Sequence, residues 1–163
     1  MRTNNGKVKN TIVSVYFIMI VLIIVFATLS RMFSDFNTHS ALILGGVVLA
    51  FVIIFFLVHN ISRYFEYDSD GRKVIIINKG LLLSDRFNYR ETRLEFEKDR
   101  LEAYKIHNFF FYRTLIVYTK NSRGKTNKET FNITLLGNKK RRYIRQSLSK
   151  IIKLNKTGAI INE

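Results

Sequence analysis

The chain has 163 residues, with 27 Lys plus Arg against 12 Asp plus Glu, no Cys, no Pro and no Trp, and 47% of it is apolar. Without cysteine there is no disulfide scaffold, no thiolate metal site and no cysteine nucleophile. The apolar residues are concentrated in two runs near the start, joined to a very basic remainder.

Residues 10–30 carry no charge, and residues 12–29 are almost entirely Ile, Val, Leu, Phe, Met and Tyr. At about 1.5 Å per helical residue such a run spans roughly 27 Å, close to the ~30 Å hydrocarbon core of a bilayer. A second uncharged stretch, residues 36–62, has its apolar centre over about 41–59. The first run is longer than a signal-peptide h-region, has no A-x-A-like site after it and is soon followed by the second. The sequence therefore predicts a transmembrane helical hairpin over 11–61, after an N-terminal arm over 1–10.

The arm carries three basic residues, the connecting loop only Arg31, and the chain after Ile61 carries 23. The positive-inside rule then puts both termini in the cytoplasm, with two spans in the inner (cytoplasmic) membrane. Ala41 and Gly45, then Gly46 and Ala50, repeat small residues four apart. That spacing lets helix backbones approach closely, so the expected role is packing against the first span, with a dimer interface as the alternative. No Asp, Glu, Lys or Arg lies within either apolar core, which leaves an ion path without a polar lining.

Beyond the membrane segment the pattern becomes strand-like. Residues 63–67 and 73–78 are rich in aromatic and β-branched residues and flank Asp68-Ser69-Asp70-Gly71, which reads as a hairpin turn. Further strands are expected over 81–84, 89–96, 101–107, 110–120 and 129–135, the last directing Phe131, Ile133 and Leu135 to one face. From Lys139 the period changes to 3.6, and Ile144, Leu148, Ile151 and Ile152 form one apolar stripe on a helix ending near Asn155. The expected fold class is α+β: the helical hairpin, then a seven-stranded antiparallel barrel or sandwich over 62–155 capped by the C-terminal helix, then a flexible tail over 156–163.

The EYDSDGRK hairpin, the NKGLLL return and the FNITLLGNKKRR approach to the last helix, placed after a two-helix hairpin, resemble the small bacterial membrane proteins with a pleckstrin-homology-like domain. The resemblance covers roughly residues 60 to 155. It implies two nearly orthogonal sheets closed by the terminal helix, and little about activity, since that family has no common catalytic residues. The chain departs from phosphoinositide-binding members of the wider group: where they place several spaced Lys and Arg in the first strand pair, this sequence offers only Arg72 and Lys73 after the two aspartates, and the last helix has no tryptophan.

Charge is unevenly distributed in the soluble part. Residues 63–105 hold ten basic and nine acidic side chains, whereas 113–156 hold thirteen basic and one acidic. The densest element is Lys139-Lys140-Arg141-Arg142, followed by Arg145, Lys150 and Lys153. Four cations in the first helical turn face the positive end of the helix dipole, which costs about a few tenths of a kcal/mol per exposed charge. Successive residues project about 100° apart, so the four form a collar and not a pocket. Anionic lipid headgroups of the inner leaflet are the simplest counter-ion, although positive-inside bias alone would produce the same cluster.

Phe109, Phe110, Phe111 and Tyr112 fall at the start of an expected strand and read as core, with a membrane-dipping edge or a base-stacking surface as the other uses. His39, His59 and His107 share no ligand spacing, and Asp68, Asp70 and Asp85 read as turn residues. With no nucleotide-binding, serine-hydrolase or zinc-protease motif, the chain reads as non-enzymatic, with no cofactor and no metal. The expected function is a membrane-surface binding or scaffold module with a protein partner. The alternatives are a membrane-tethered nucleic-acid binder and an accessory subunit of an envelope enzyme or transporter.

Overall fold

The computed structural model describes residues 1–32, 40–81 and 91–158, and the chain divides into two units: residues 1–6 with 63–163, and residues 7–62. The second unit is two helices, α1 (Val8–Met32) and α2 (Ser40–Ile61). Among the described residues α1 is the one helix long and apolar enough to cross a membrane, over Val8–Leu29; α2 is apolar over the shorter stretch Gly45–Ile61. The two helices meet through large side chains. Ile12 and Met19 of α1 are buried, and the Tyr16 ring meets Phe55 of α2 edge-on at 5.2 Å between centroids. Among the described residues, the small-residue seam expected of α2 makes no such contact. A methyl group added at Gly45 or Gly46 would meet nothing within 4 Å, and Ala50 is exposed. The side chain of Ala41 lies outside the described residues.

The first unit holds seven described strands and one long helix. Strands β1 (Arg2–Asn4), β2 (Arg63–Asp68), β3 (Lys73–Gly80) and β4 (Thr92–Glu97) form one antiparallel sheet in that order. Strands β5 (Leu101–Asn108), β6 (Arg113–Lys120) and β7 (Thr126–Asn132) form the other, and α3 (Asn138–Thr157) follows. No strand pairing joins the two sheets among the described residues, so the domain is not a closed barrel.

Alternation in the strands explains the core. Phe65 and Tyr67 of β2 and Val74 and Ile76 of β3 point one way from the first sheet; Leu115 and Val117 of β6 and Phe131 of β7 point from the second, and all are fully buried. Ile144, Leu148 and Ile151, at i, i+4 and i+7 of α3, pack into the same cluster. Asn78 joins the sheets inside it. Its Nδ2 donates to the carbonyls of Tyr64 and Asn132, both at 3.0 Å, and its Oδ1 accepts from the Asn132 N–H at 3.3 Å. A buried amide with its partners in place fixes the register of two layers that apolar contact alone would let slide.

The seven strands are not the seven expected. Residues 82–90, which include most of the strand expected over 81–84, lie outside the described residues. The N-terminal arm supplies β1 instead. Arg2, Thr3 and Asn4 pair antiparallel with Asp68, Tyr67 and Glu66. Asn5, buried, secures the end of this strand: its N–H donates to the Phe65 carbonyl at 3.1 Å, its Nδ2 to the Arg63 carbonyl at 2.9 Å, and its Oδ1 accepts from the Phe65 N–H at 2.8 Å. Arg2 donates from Nε and Nη2 to Glu66 Oε1 at 2.8 and 2.7 Å, while Tyr64 donates to Glu66 Oε2 at 2.7 Å. The terminal ammonium of Met1 pairs with Asp70. Three residues with little apolar pattern are thus held by side-chain chemistry, which periodicity does not register.

Candidate functional site: the exposed face of α3

All eight charged residues of α3 are basic. The helix opens on Gly137, which offers no capping side chain, and its first turn contains no acid. It closes on Gly158 at φ 70°, the left-handed conformation that glycine adopts without strain, with the Gly158 N–H donating to the Leu154 carbonyl.

The eight cations divide into two sets. Lys140 and Arg141 are partly buried and serve the domain. Lys140 Nζ donates to the Asn4 carbonyl and so ties α3 to β1, and Arg141 reaches back to the Asn138 side chain. Burial first, and then the neighbouring charge of Arg113, push the Arg141 guanidinium below its ordinary pKa. Its Nε is buried without a hydrogen-bond partner. Positive potential therefore accumulates around the start of the helix.

Lys139, Arg142, Arg145, Lys150 and Lys153 are exposed, as is Lys156 in the last turn. At about 100° per residue, Lys139, Arg142, Lys150 and Lys153 fall within roughly 80° of one another, and that arc lies opposite the buried Ile144, Leu148 and Ile151. Arg145 flanks it. What the sequence suggests is a collar is thus a collar only at the first turn; over the helix as a whole four cations form a stripe. Gln146 lies within the stripe, and Tyr143 and Leu154, both exposed, border its other side. The remaining basic residues of the C-terminal part, Lys120, Arg123, Lys125 and Lys128, surround the β6–β7 turn, at the opposite end of β6 from Arg113.

Polar contacts set how α3 lies against the sheets. Tyr104 of β5 shares a hydrogen bond with Ser149 Oγ at 2.7 Å, and Tyr67 of β2 shares one with Ser147 Oγ at 2.9 Å. Asn155 Nδ2 donates to the carbonyls of Lys98 and Leu101 at 2.8 and 2.9 Å. The helix therefore runs antiparallel to β5, and its first turn lies towards the end of β5 at Asn108. There Arg113 is held by its N–H to Thr134 Oγ1 at 3.0 Å and by its carbonyl, which accepts from the Ile133 N–H at 2.9 Å. The start of α3, the base of the β5–β6 turn and, through Lys140 and Asn4, the strand end that leads towards α1 share one end of the domain.

The β5–β6 turn departs from expectation. Phe109, Phe110 and Phe111 are 62%, 101% and 59% exposed, not core. The strand expected from residue 110 begins only at Arg113, and residues 109–112 form a turn closed by the Phe109 N–H on the Tyr112 carbonyl at 2.8 Å. Composition could not separate a strand end from a turn here, since the run contains no glycine, proline or aspartate to mark the bend.

Other candidates do not converge. Among the described residues no group of three or more His, Asp or Glu is placed to hold a metal. His107 stacks on Phe109 at 6.3 Å and His59 on Phe55 at 6.2 Å; His39 and Asp85 lie outside the described residues. Asp68 accepts the Asp70 N–H at 2.9 Å, as a turn residue does. No family model matches the sequence, and no curated protein or solved structure matches it significantly.

Proposed function

We propose that the chain is a two-span membrane protein whose two-sheet domain stands on the cytoplasmic surface of the inner membrane and binds anionic headgroups through the exposed face of α3, as a non-enzymatic scaffold for protein partners. The observation that carries this reading is the set Lys139, Arg142, Arg145, Lys150 and Lys153, exposed on a helix with no acidic residue and turned away from the core. Near an anionic leaflet each such charge adds up to about 1 kcal/mol. Two sheets closed by a terminal helix also support the likeness to the pleckstrin-homology-like membrane proteins.

Strand pairing supports the second span. Strand β1 precedes α1 and β2 follows α2, yet the two are neighbours in one sheet. Both must lie on the same side of any membrane, so the chain between them crosses an even number of times. If α1 crosses, α2 has to return. Its apolar stretch Gly45–Ile61 covers about 26 Å at 1.5 Å per residue, enough for a core of about 30 Å with modest local thinning. The excess of Lys and Arg in the two termini over the connecting loop favours a cytoplasmic side for both.

The absence of cysteine makes the test direct. Single variants Thr38→Cys and Ser122→Cys, treated in intact cells with a membrane-impermeant maleimide, should label at 38 and not at 122; labelling at 122 overturns the orientation. A polarity-sensitive dye on Gln146→Cys, read in the full chain in nanodiscs, should report headgroup contact when anionic lipid is present. That signal should fall in zwitterionic lipid, and in salt that shortens the Debye length from about 10 Å at 0.1 M to about 3 Å at 1 M. Equal signals in both lipids overturn the headgroup reading. Tighter binding of an oligonucleotide than of anionic lipid at physiological salt replaces it with the nucleic-acid one.

A further inference from the structure

Turn chemistry does not account for Phe109, Phe110 and Phe111. Tight turns favour residues that accept unusual backbone angles or bond their own backbone, and phenylalanine does neither. No residue of this turn has a positive φ. Burial does not account for them either, since all three are more than half exposed and Phe110 is wholly so. Phe110 meets Phe111 edge-on at 6.2 Å, and His107 stacks on Phe109. Three adjacent aromatic rings on a closed, hydrogen-bonded turn form a firm apolar tip, and contiguous exposed apolar surface of this kind marks an interaction site.

The surroundings indicate which partner. From Ala103 to Lys128 there is no acidic residue, while Lys105 and Arg113 stand on the strands just behind the tip. The base of the tip lies at the same end of the domain as the basic first turn of α3, where Arg113 acts on Arg141. Apolar rings in front and cations behind match the layering of an anionic bilayer, with acyl chains inside and phosphates at the surface.

We propose that the β5–β6 turn is a membrane wedge: Phe109, Phe110 and Phe111 insert below the headgroups of the anionic leaflet while Arg113, Lys105 and the first turn of α3 engage the phosphates. This inference rests on the membrane-surface reading above and adds a second, hydrophobic point of attachment to it. Two points of attachment fix the orientation of the domain on the leaflet, which charge alone leaves free to rotate.

The chain contains no tryptophan, so Phe110→Trp in the full chain supplies a single reporter at the tip. In nanodiscs of phosphatidylcholine with phosphatidylglycerol, its emission should be blue-shifted and strongly quenched when the acyl chains carry bromine. Asn127→Trp, exposed and paired with Thr119 at the far end of β6, should emit as in water and resist quenching. Adding Phe109→Ser and Phe111→Ser to the Phe110→Trp chain should return its emission towards that of water, which a merely buried ring would not require. Water-like emission at position 110, with the Gln146 dye still responding to anionic lipid, overturns the wedge and leaves the headgroup reading standing. Water-like signals at both positions overturn both. Blue-shifted emission that bromolipid does not quench also overturns the wedge, because the tip is then covered by protein, as in association with a second copy.

Discussion

Phe131 and Phe110 stand 21 positions apart in the same domain, the first with no exposure and the second with all of it. Both lie in aromatic, strand-like sequence. Phe131 sits in β7 opposite Leu115 of β6 and points into the cluster shared with α3, whereas Phe110 sits where the β5–β6 ladder ends at Asn108 and Arg113. Hydrophobicity alone therefore does not place a side chain; the ladder does, and where it stops an apolar residue is left facing outwards. The same division separates the cations of α3, with Lys140 tied to β1 and Lys139 left to solvent.

Truncating the two phenylalanines tests this contrast most strongly. Phe131→Ala removes a ring from the shared core and should cost about 3–5 kcal/mol, since the surrounding side chains collapse only partly into the space. Phe110→Ser removes the same ring from solvent and should change stability by less than about 0.5 kcal/mol. Thermal unfolding of the full chain in a mild detergent, followed by the tyrosine near-ultraviolet circular dichroism, distinguishes them. Comparable losses for both would mean that the tip is packed in the folded protein.

Polar cores should break next. Asn78→Leu keeps the volume and removes the three hydrogen bonds by which the Asn78 amide holds Tyr64 and Asn132 across the two sheets; a net loss of about 0.5–1.5 kcal/mol for each is the ordinary scale. Asn5→Ala removes two side-chain bonds at the end of β1 and should loosen that strand before the rest. Hydrogen exchange, faster at residues 2–5 and 63–67 than in β6, would record it.

These buried asparagines also mark how far the sequence was legible. Strands β2 to β7 and helix α3 were readable: alternation marks β4 and β7, a nearly continuous apolar run marks β6, aromatic and β-branched residues mark β2 and β3, and the 3.6-residue stripe of Ile144, Leu148 and Ile151 marks α3. Strand β1 was not, because its attachment depends on Asn5 and Arg2 bonding to residues some 60 positions away, which no local window contains. In the candidate site the dense basic run was plain in the sequence. Its division into Lys140, which ties α3 to β1, and an outer stripe was not, since that depends on which face of α3 the sheets cover. The exposure of Phe109, Phe110 and Phe111 was hidden by a turn without turn residues.

Acid should weaken the β1 attachment through Glu66. Burial alone would raise the pKa of this carboxyl, but hydrogen bonds from Tyr64 and Arg2, with the Arg2 charge, outweigh it and hold it below the ordinary carboxylate value. A depressed pKa contributes stability that is present above the unfolded value and is lost as pH falls through the folded one. The first sheet should therefore lose protection at residues 2–4 as pH drops below about 4, while β6 and β7 keep theirs. In Glu66→Gln that acid step should vanish. The Tyr64 hydroxyl, pushed up to about 12 by burial first and by Glu66 second, stays protonated throughout and keeps donating.

The smallest effects should come from the cations of α3, and their sign is what separates the two sets. Lys140→Gln loses the bond to the Asn4 carbonyl and should lower the melting temperature slightly. Lys139→Gln with Arg142→Gln removes exposed charges from the positive end of a helix dipole that has no acidic residue to balance it, so the melting temperature should hold or rise slightly. Lipid contact should move the other way: the Gln146 dye signal in anionic nanodiscs should weaken in the Lys139 and Arg142 variant and persist in Lys140→Gln. A variant of the outer stripe that destabilises the fold as much as Lys140→Gln does would show that these cations are structural and that the division of α3 into two sets does not hold.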